Sequence, residues 1–278
     1  MAVTATATSH SLDVPGARLY YEVMGEGPVL LFIPGGPADA NGFLPMGERL
    51  ADTFTVVRYD PRGISRSAVA DPEDVAVETH ADDARRLLEA VSSEPAVVFG
   101  HSGGAVISLA LVEQAPERVQ TLIAHEPPLT QLLPVDDRRR GEAQEIFAVY
   151  QEQGPEAAMM RFMGAAGMDG PPPEMSPEAE AFMMEQMARM EQNTEFFLAH
   201  YLIPITGYEP DLAKLRGGPT QVMVGVGADS EGQETWDTSI ALARGLGIEP
   251  VVFPGDHIGM ALQPDAFAAR LREVLGVR

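Results

Sequence analysis

The chain has no cysteine. That excludes disulfide staples, thiolate nucleophiles and cysteine-ligated zinc, and it suits a reducing compartment, so the cytoplasm is the expected location. Cations are scarce as well: 19 Lys and Arg stand against 41 Asp and Glu, a formal charge of -22 at pH 7. Nucleic-acid affinity comes largely from Lys and Arg displacing counterions from phosphate, so no nucleic-acid partner is expected. The excess carboxylates read as a solvated surface that keeps the protein soluble. Nor is there a run approaching the roughly 20 apolar residues of a membrane-spanning helix, because charged residues, Gly or Pro interrupt every candidate. No membrane partner is expected. The opening MAVTATATSH lacks the basic, apolar and small-residue order of a secretory signal and reads as a frayed tail.

What is present is enough apolar material, 45% of 278 residues, for one large core carrying one insertion. Short β-rich runs fall at Arg18 to Val23, Val29 to Ile33, Phe54 to Tyr59 and Ala96 to Phe99, with a helical pattern from Glu78 to Val91 before the fourth. A helix follows from Gly103 to Gln114, then strands at Val119 to Ala124, Gln221 to Val226 and Pro250 to Phe253. This alternation predicts an α/β fold, a mostly parallel central sheet flanked by helices. The runs from Val29 and Ala96 are apolar throughout, as central strands covered on both faces must be.

Between Pro127 and about Gly218 the alternation stops. Helical segments at Gly141 to Gln153 and Pro177 to His200 flank a Gly/Pro-rich stretch with Pro171, Pro172 and Pro173. The expected division is a core of residues 1–129 and 215–278 with a helical lid at 130–214. Nine of the fourteen methionines lie between Met159 and Met190; such flexible side chains either adapt to varied apolar ligands or fill an irregular lid core. Phe182, Met183, Met187, Met190 and Phe197 follow the spacing of one apolar helix face.

Gly100-His101-Ser102-Gly103-Gly104 sits between an apolar strand and a helix, the setting in which G-x-S-x-G forms a tight turn that lifts the serine hydroxyl above a sheet. Side chains at positions 100 and 104 would clash there. A serine hydroxyl needs a base to take its proton. Of six histidines, His257 follows the last strand in the loop Pro254-Gly255-Asp256-His257-Ile258-Gly259. His10, His80, His101 and His200 read as structural or solvated. A carboxylate must orient the imidazole, and two are candidates. Asp229 follows strand Gln221 to Val226, one residue beyond the familiar Gly225-x-x-Asp spacing, which puts Ala228 where the acid belongs. Glu126 ends strand Val119 to Ala124 in His125-Glu126-Pro127-Pro128, with a longer reach, and is the favoured choice. The backbone N–H of Gly103 and of Gly36, in Pro34-Gly35-Gly36-Pro37, are the expected oxyanion donors, since Pro37 has no N–H. Asp60-Pro61-Arg62-Gly63 reads as a buttressing loop.

Taken in order, PGGP, DPRG, GHSGG and the His257 loop resemble the α/β-hydrolase superfamily across nearly the whole chain. GHSGG with HEPP at a strand end and Ser65-Arg66-Ser67 is similar to the branch containing zearalenone lactonases, whose acid stands at that strand end. The resemblance implies Ser102, Glu126 and His257 as a catalytic triad, with Gly36 and Gly103 as the oxyanion hole. The lid departs from it: it carries no tryptophan, since Trp236 follows the Gln221 strand, so a substrate does not carry over.

The expected activity is hydrolysis of a carboxylic ester or lactone of an apolar small molecule through an acyl-enzyme, with no cofactor and no metal. A homodimer is compatible with it. The rivals are a small-molecule receptor or non-hydrolytic biosynthetic enzyme on the same fold, and a carbon–carbon bond hydrolase. Halide and epoxide chemistry generally uses an aspartate where this chain has Ser102.

Overall fold

A computed structural model of the chain describes residues 6–72, 75–167 and 177–277. Its sheet comprises β1 (Thr8–Val14), β2 (Ala17–Met24), β3 (Val29–Ile33), β4 (Thr55–Tyr59), β5 (Ala68–Val69), β6 (Ala96–His101), β7 (Val119–His125), β8 (Gln221–Gly227) and β9 (Val251–Phe253). The spatial order is β1-β2-β4-β3-β6-β7-β8-β9, with β5 pairing β2. β1 and β2 run antiparallel to their neighbours, and every pairing from β4 through β9 is parallel.

The stretch expected to be a frayed tail is thus partly ordered. Thr8 to Val14 pair residue for residue with β2, and the strand went unseen because five of its seven residues are exposed and it carries no apolar run.

In the central strands, alternate residues feed opposite cores, which is why a period-two pattern is absent. Leu31 and Ile33 of β3 and Val98 of β6 enter one core, with α2 (Val77–Val91), α3 (Gly103–Gln114) and α9 (Glu234–Leu246). Leu30, Phe32, Val97 and Phe99 enter the other, with α1 (Leu44–Leu50) and α11 (Pro264–Leu275). Residues 103–112 of α3 are all buried. A helix apolar all round belongs in an interior, and this one stays there because its N-terminus starts at the serine turn.

Between β7 and β8 the chain leaves the sheet and forms α4 (Glu142–Gln153), α5 (Pro155–Ala165), α6 (Pro177–Phe196), a π-helical turn (Phe197–Tyr201), α7 (Leu202–Thr206) and α8 (Leu212–Gly217). The expected 214/215 boundary runs through α8, which packs on α3 and α9. Pro171 to Pro173 lie outside the described residues, as do Met168 and Met175. The predicted apolar face of α6 needs one correction: Met187 is 64% exposed, and Gln186 beside it is buried instead. Among the described residues no helix is long and apolar enough to cross a membrane.

α6 is pinned to the loops after β3 and β4. Asn193 donates to the Pro37 carbonyl at 2.9 Å and accepts from the Ser65 N–H at 2.8 Å. Phe196 lies over Gly63, where an added Cβ would stand 2.0 Å from the ring. The DPRG loop is structural, as expected: Asp60 accepts from the Ala40 N–H and from Arg66, and Arg62 pairs with buried Asp83 at 2.7 Å.

Candidate active site

Parallel register brings the strand ends level. His101 lies opposite His125, and His125 opposite Gly225. One residue further, the Ser102 N–H donates to the His125 carbonyl and the Glu126 N–H to that of Gly225, at 2.9 and 3.0 Å. Ile33 lies opposite Gly100, so Pro34 to Gly36 start beside the serine turn. The sheet's own hydrogen bonds therefore deliver Ser102, Glu126 and the Gly36 segment to one edge, where open α/β sheets bind ligands.

Ser102 has φ 54° and ψ -124°, a conformation that L-residues adopt only under constraint. The expected clash at the flanking positions is present. A Cβ on Gly100 would meet the Gly104 carbonyl at 2.5 Å, and one on Gly104 the Ile33 carbonyl at 2.1 Å. Gly103 is the first residue of α3, and a Cβ placed on it would stand 3.6 Å from the Gly36 nitrogen, so the two expected oxyanion donors lie side by side.

The acid paired with His257 is Glu126. Its Oε2 accepts from His257 Nδ1 at 2.6 Å and from the Thr235 hydroxyl at 3.1 Å, while Oε1 accepts from the Gly227 N–H at 2.8 Å. Glu126 is fully buried and has φ 50°. Pro127 and Pro128 follow, and the chain leaves the sheet with the carboxyl turned toward β8. Burial by itself would raise this carboxyl, but the hydrogen bond and positive charge offered by His257 outweigh it and hold the group well below the usual carboxylate range. In the tautomer whose Nδ1 donates to Glu126, the free lone pair of the ring is on Nε2. Asp229 stands exposed, its N–H bonded to the Gly255 carbonyl at 2.9 Å. The extra residue in its spacing carries it past the strand end into solvent.

Two histidines flank the pair. His101 and His125 face each other Nδ1 to Nδ1 at 3.2 Å, and the His101 ring lies 4.4 Å from that of His257. Burial, then the positive charge of their histidine neighbours, pushes His101 far below its ordinary value; burial holds His125 near pH 4 against the pull of Glu126. Both stay neutral at neutral pH. His80 is pushed down to about 3 by burial, then by Arg62.

Two lobes of open space meet at Gly36, Ser102, Phe162 and His257, which line both. One, about 660 Å³ including its mouth, runs under α4 and the π-turn past Ile146, Phe197 and Ile205 to Arg139, Glu142 and Glu234. Arg139 is committed to Asp137 and Asp237, at 2.7 and 2.8 Å. Glu234 is pushed up to about 7, by burial first and by Glu142 and Asp137 after it, against Arg139. The other, about 800 Å³, runs under α6 between Phe43, Phe182, Met183, Met190 and Met260. So the methionines divide: two of the cluster line a cavity, while Met160, Met184 and Met187 face solvent. Among the described residues no group of three or more His, Asp or Glu side chains is arranged to hold a metal ion.

Sequence reasoning missed the Gly227 amide and Thr235, which fix Glu126, and Tyr201 and Gln186, which line the lobes. Gly227 left a signal: it stands where β8 must end against the His257 loop, and a Cβ there would meet the Gly255 carbonyl at 2.7 Å. The others had none, because helical residues of an irregular insertion follow no motif.

Comparison with known proteins agrees with this architecture. A sequence profile of the alpha/beta hydrolase fold matches residues 28–178. The chain is 34% identical over 275 residues to the hydrolase YraK of Bacillus subtilis (strain 168), covering 97% of each. It is 28% identical to a zearalenone hydrolase of Bionectria ochroleuca, covering 94% of this chain and 95% of the other. The enol-lactonase from Burkholderia xenovorans LB400 superposes with a TM-score of 0.75 at 17% identity, over 96% of this chain and all of that one. The profile, which spans more than half of the chain, and the full-length similarity to YraK together establish that this protein belongs to the α/β-hydrolase fold family and is a hydrolase.

Proposed function

We propose that the protein is a serine hydrolase that opens a carboxylic ester or lactone of an apolar small molecule. The observation that carries the proposal is the buried Glu126–His257 pair at 2.6 Å, whose imidazole lines the same cavity as Ser102 on its strained turn. The relatives named as a zearalenone hydrolase and an enol-lactonase favour the same chemistry.

In this mechanism His257 Nε2 takes the Ser102 proton as Oγ attacks the carbonyl carbon. The N–H groups of Gly36 and Gly103 donate to the oxyanion that forms, an interaction worth roughly a hundredfold to a thousandfold in rate per donor. The intermediate collapses, His257 returns the proton to the leaving alkoxide, and an acyl-enzyme remains. Water attacks the acyl carbon with the same base and the same oxyanion donors, releasing the acid and restoring Ser102. Glu126 stays ionised throughout and stabilises the imidazolium. No step requires a cofactor. With a lactone the alcohol stays tethered, so reclosure competes with hydrolysis, and the helical insertion acts as the lid that holds water at the acyl carbon.

The test is hydrolysis of a short p-nitrophenyl ester and an aryl macrolactone by the wild type and by Ser102→Ala. Turnover by the wild type that falls at least a thousandfold in the variant supports the proposal, and the preferred substrate separates esterase from lactonase. Equal inactivity toward both substrates, with ligands that raise Tm and are not consumed, would replace it with a receptor or non-hydrolytic role.

A further inference from the structure

The lobe under α6 is built of apolar side chains, with one interruption away from Ser102 and the histidines. Gln186 lines it among Phe182, Met183 and Met190. It is 6% exposed, and its amide nitrogen is sealed from solvent with no hydrogen-bond partner among the described residues. Contrast Asn193, two turns along the same helix, whose amide is satisfied at both ends by Pro37 and Ser65. Asn193 fastens α6 to the oxyanion loop; the Gln186 amide nitrogen fastens it to no other described residue.

A leucine or methionine at 186 would fill the same volume without stranding a polar group, and a buried amide left unpaired is a net cost to the fold. No described residue repays that cost, and the lobe that Gln186 lines is where a group from a bound molecule would lie. We propose that Gln186 is a specificity-determining residue of the reaction proposed above, its amide pairing with a hydroxyl or ketone oxygen on the part of the substrate that fills the apolar lobe. The inference rests on that reading of the reaction for the word substrate, and on the cavity and the unpaired amide for the rest. Turning the amide about its last bond presents either its oxygen or its NH2 to the lobe. A hydroxyl, which both donates and accepts, pairs in either orientation; a ketone pairs with the NH2. A plain hydrocarbon occupying the same space leaves the amide unpaired and is penalised for it. The substrate class narrows accordingly to esters or lactones whose apolar chain or ring bears an oxygen function remote from the scissile carbonyl.

The experiment compares p-nitrophenyl octanoate with its oxo and hydroxy analogues, the oxygen moved one carbon at a time from mid-chain to chain end, on wild type and Gln186→Leu. The wild type should favour at least one oxygenated ester by roughly tenfold in kcat/KM, the value of one well-made hydrogen bond. In Gln186→Leu that ratio should fall to about one. A ratio that survives the substitution, or a wild type with no preference at any position, overturns the proposal. Tm of the ligand-free variant gives a second reading: it should equal or exceed that of the wild type, because an unpaired buried amide is removed. A fall of several degrees, repeated in Gln186→Met, would mean the amide is bonded within the protein and would also overturn it. Thermal shifts of Ser102→Ala with the same esters keep the two proposals apart. If no ester is turned over yet the oxygen-dependent shift is present and needs Gln186, the serine mechanism fails and the assignment of Gln186 stands.

Discussion

Ser102, Glu126 and Gly36 are held by backbone: the ends of β3, β6, β7 and β8 come level through sheet register, and the N–H groups of Ser102 and Glu126 bond to neighbouring strands. Across the cavity, α6 is held by side chains, chiefly Asn193 on Pro37 and Ser65 and Phe196 over Gly63. The first arrangement tolerates little movement, because shifting one group means breaking a ladder. The second can be reset one contact at a time. In the proposed reaction the groups that need sub-ångström placement sit on the sheet, and the surface that would select a substrate sits on the helices.

The sharpest way to break this comparison is at the acid. Glu126→Gln keeps the shape but offers His257 a neutral group, so kcat should fall on the order of a thousandfold or more. Asp229→Asn should leave kcat within about twofold, since the exposed side chain touches nothing in the mechanism. Steady-state kinetics with circular dichroism as the control for folding decides it, and the opposite pattern would return the role to Asp229.

On the helical side the effect should be smaller and of another kind. Asn193→Ala removes the hydrogen bonds to Pro37 and Ser65 that tie α6 to the loops beneath it, leaving the Ser65 N–H without its acceptor, at about 1–3 kcal/mol. Calorimetry should show Tm lower by several degrees, at about 2–4 °C per kcal/mol for a large domain. KM for long-chain esters should rise several-fold with kcat changed less. A loss of kcat equal to that of Glu126→Gln would show that α6 carries catalytic geometry and that the division drawn above is false.

The same division explains what was legible in the sequence. Ser102, His257 and Glu126 could be named because strand, turn and helix leave a linear trace: apolar runs ending in glycine or proline, with steric demands at Gly100 and Gly104 that no other residue meets. Even the choice between two acids turned on a one-residue offset, and Asp229 is exposed for that reason. β1 escaped because an exposed edge strand is held by main-chain bonds that any sequence supplies. On α6 the period of the methionines predicted an inward Met187, whereas the helix is rolled so that Gln186 is buried. That rotation is set by where Asn193 and Phe196 find partners far earlier in the chain, at Pro37, Gly63 and Ser65, and nothing local to α6 records it.

Glu234 offers the finest test, because it stands on the sheet-side helix α9 yet lines a lobe. Its carboxyl is pushed up to about 7 from an ordinary value of 4.5. The sign follows from proton counting. Between those two values the folded protein binds more protons here than the unfolded chain, so this group's contribution to stability declines as pH rises through that window. Below about pH 4.5 both states are protonated and the group is neutral in effect; above about 7 its full penalty is in place. Glu234→Gln removes the penalty and nothing else that titrates. The difference in Tm between variant and wild type should therefore be near zero at pH 4.5, grow through pH 6, and level off by pH 8 at a few degrees in favour of the variant. A difference that is flat with pH would mean that Glu234 is ionised in the fold at all these values, with Arg139 released from Asp137 or Asp237 to pair with it. The end of that lobe would then present a salt bridge to the substrate and not a neutral acid, and the contrast between the two lobes would be one of charge as well as polarity.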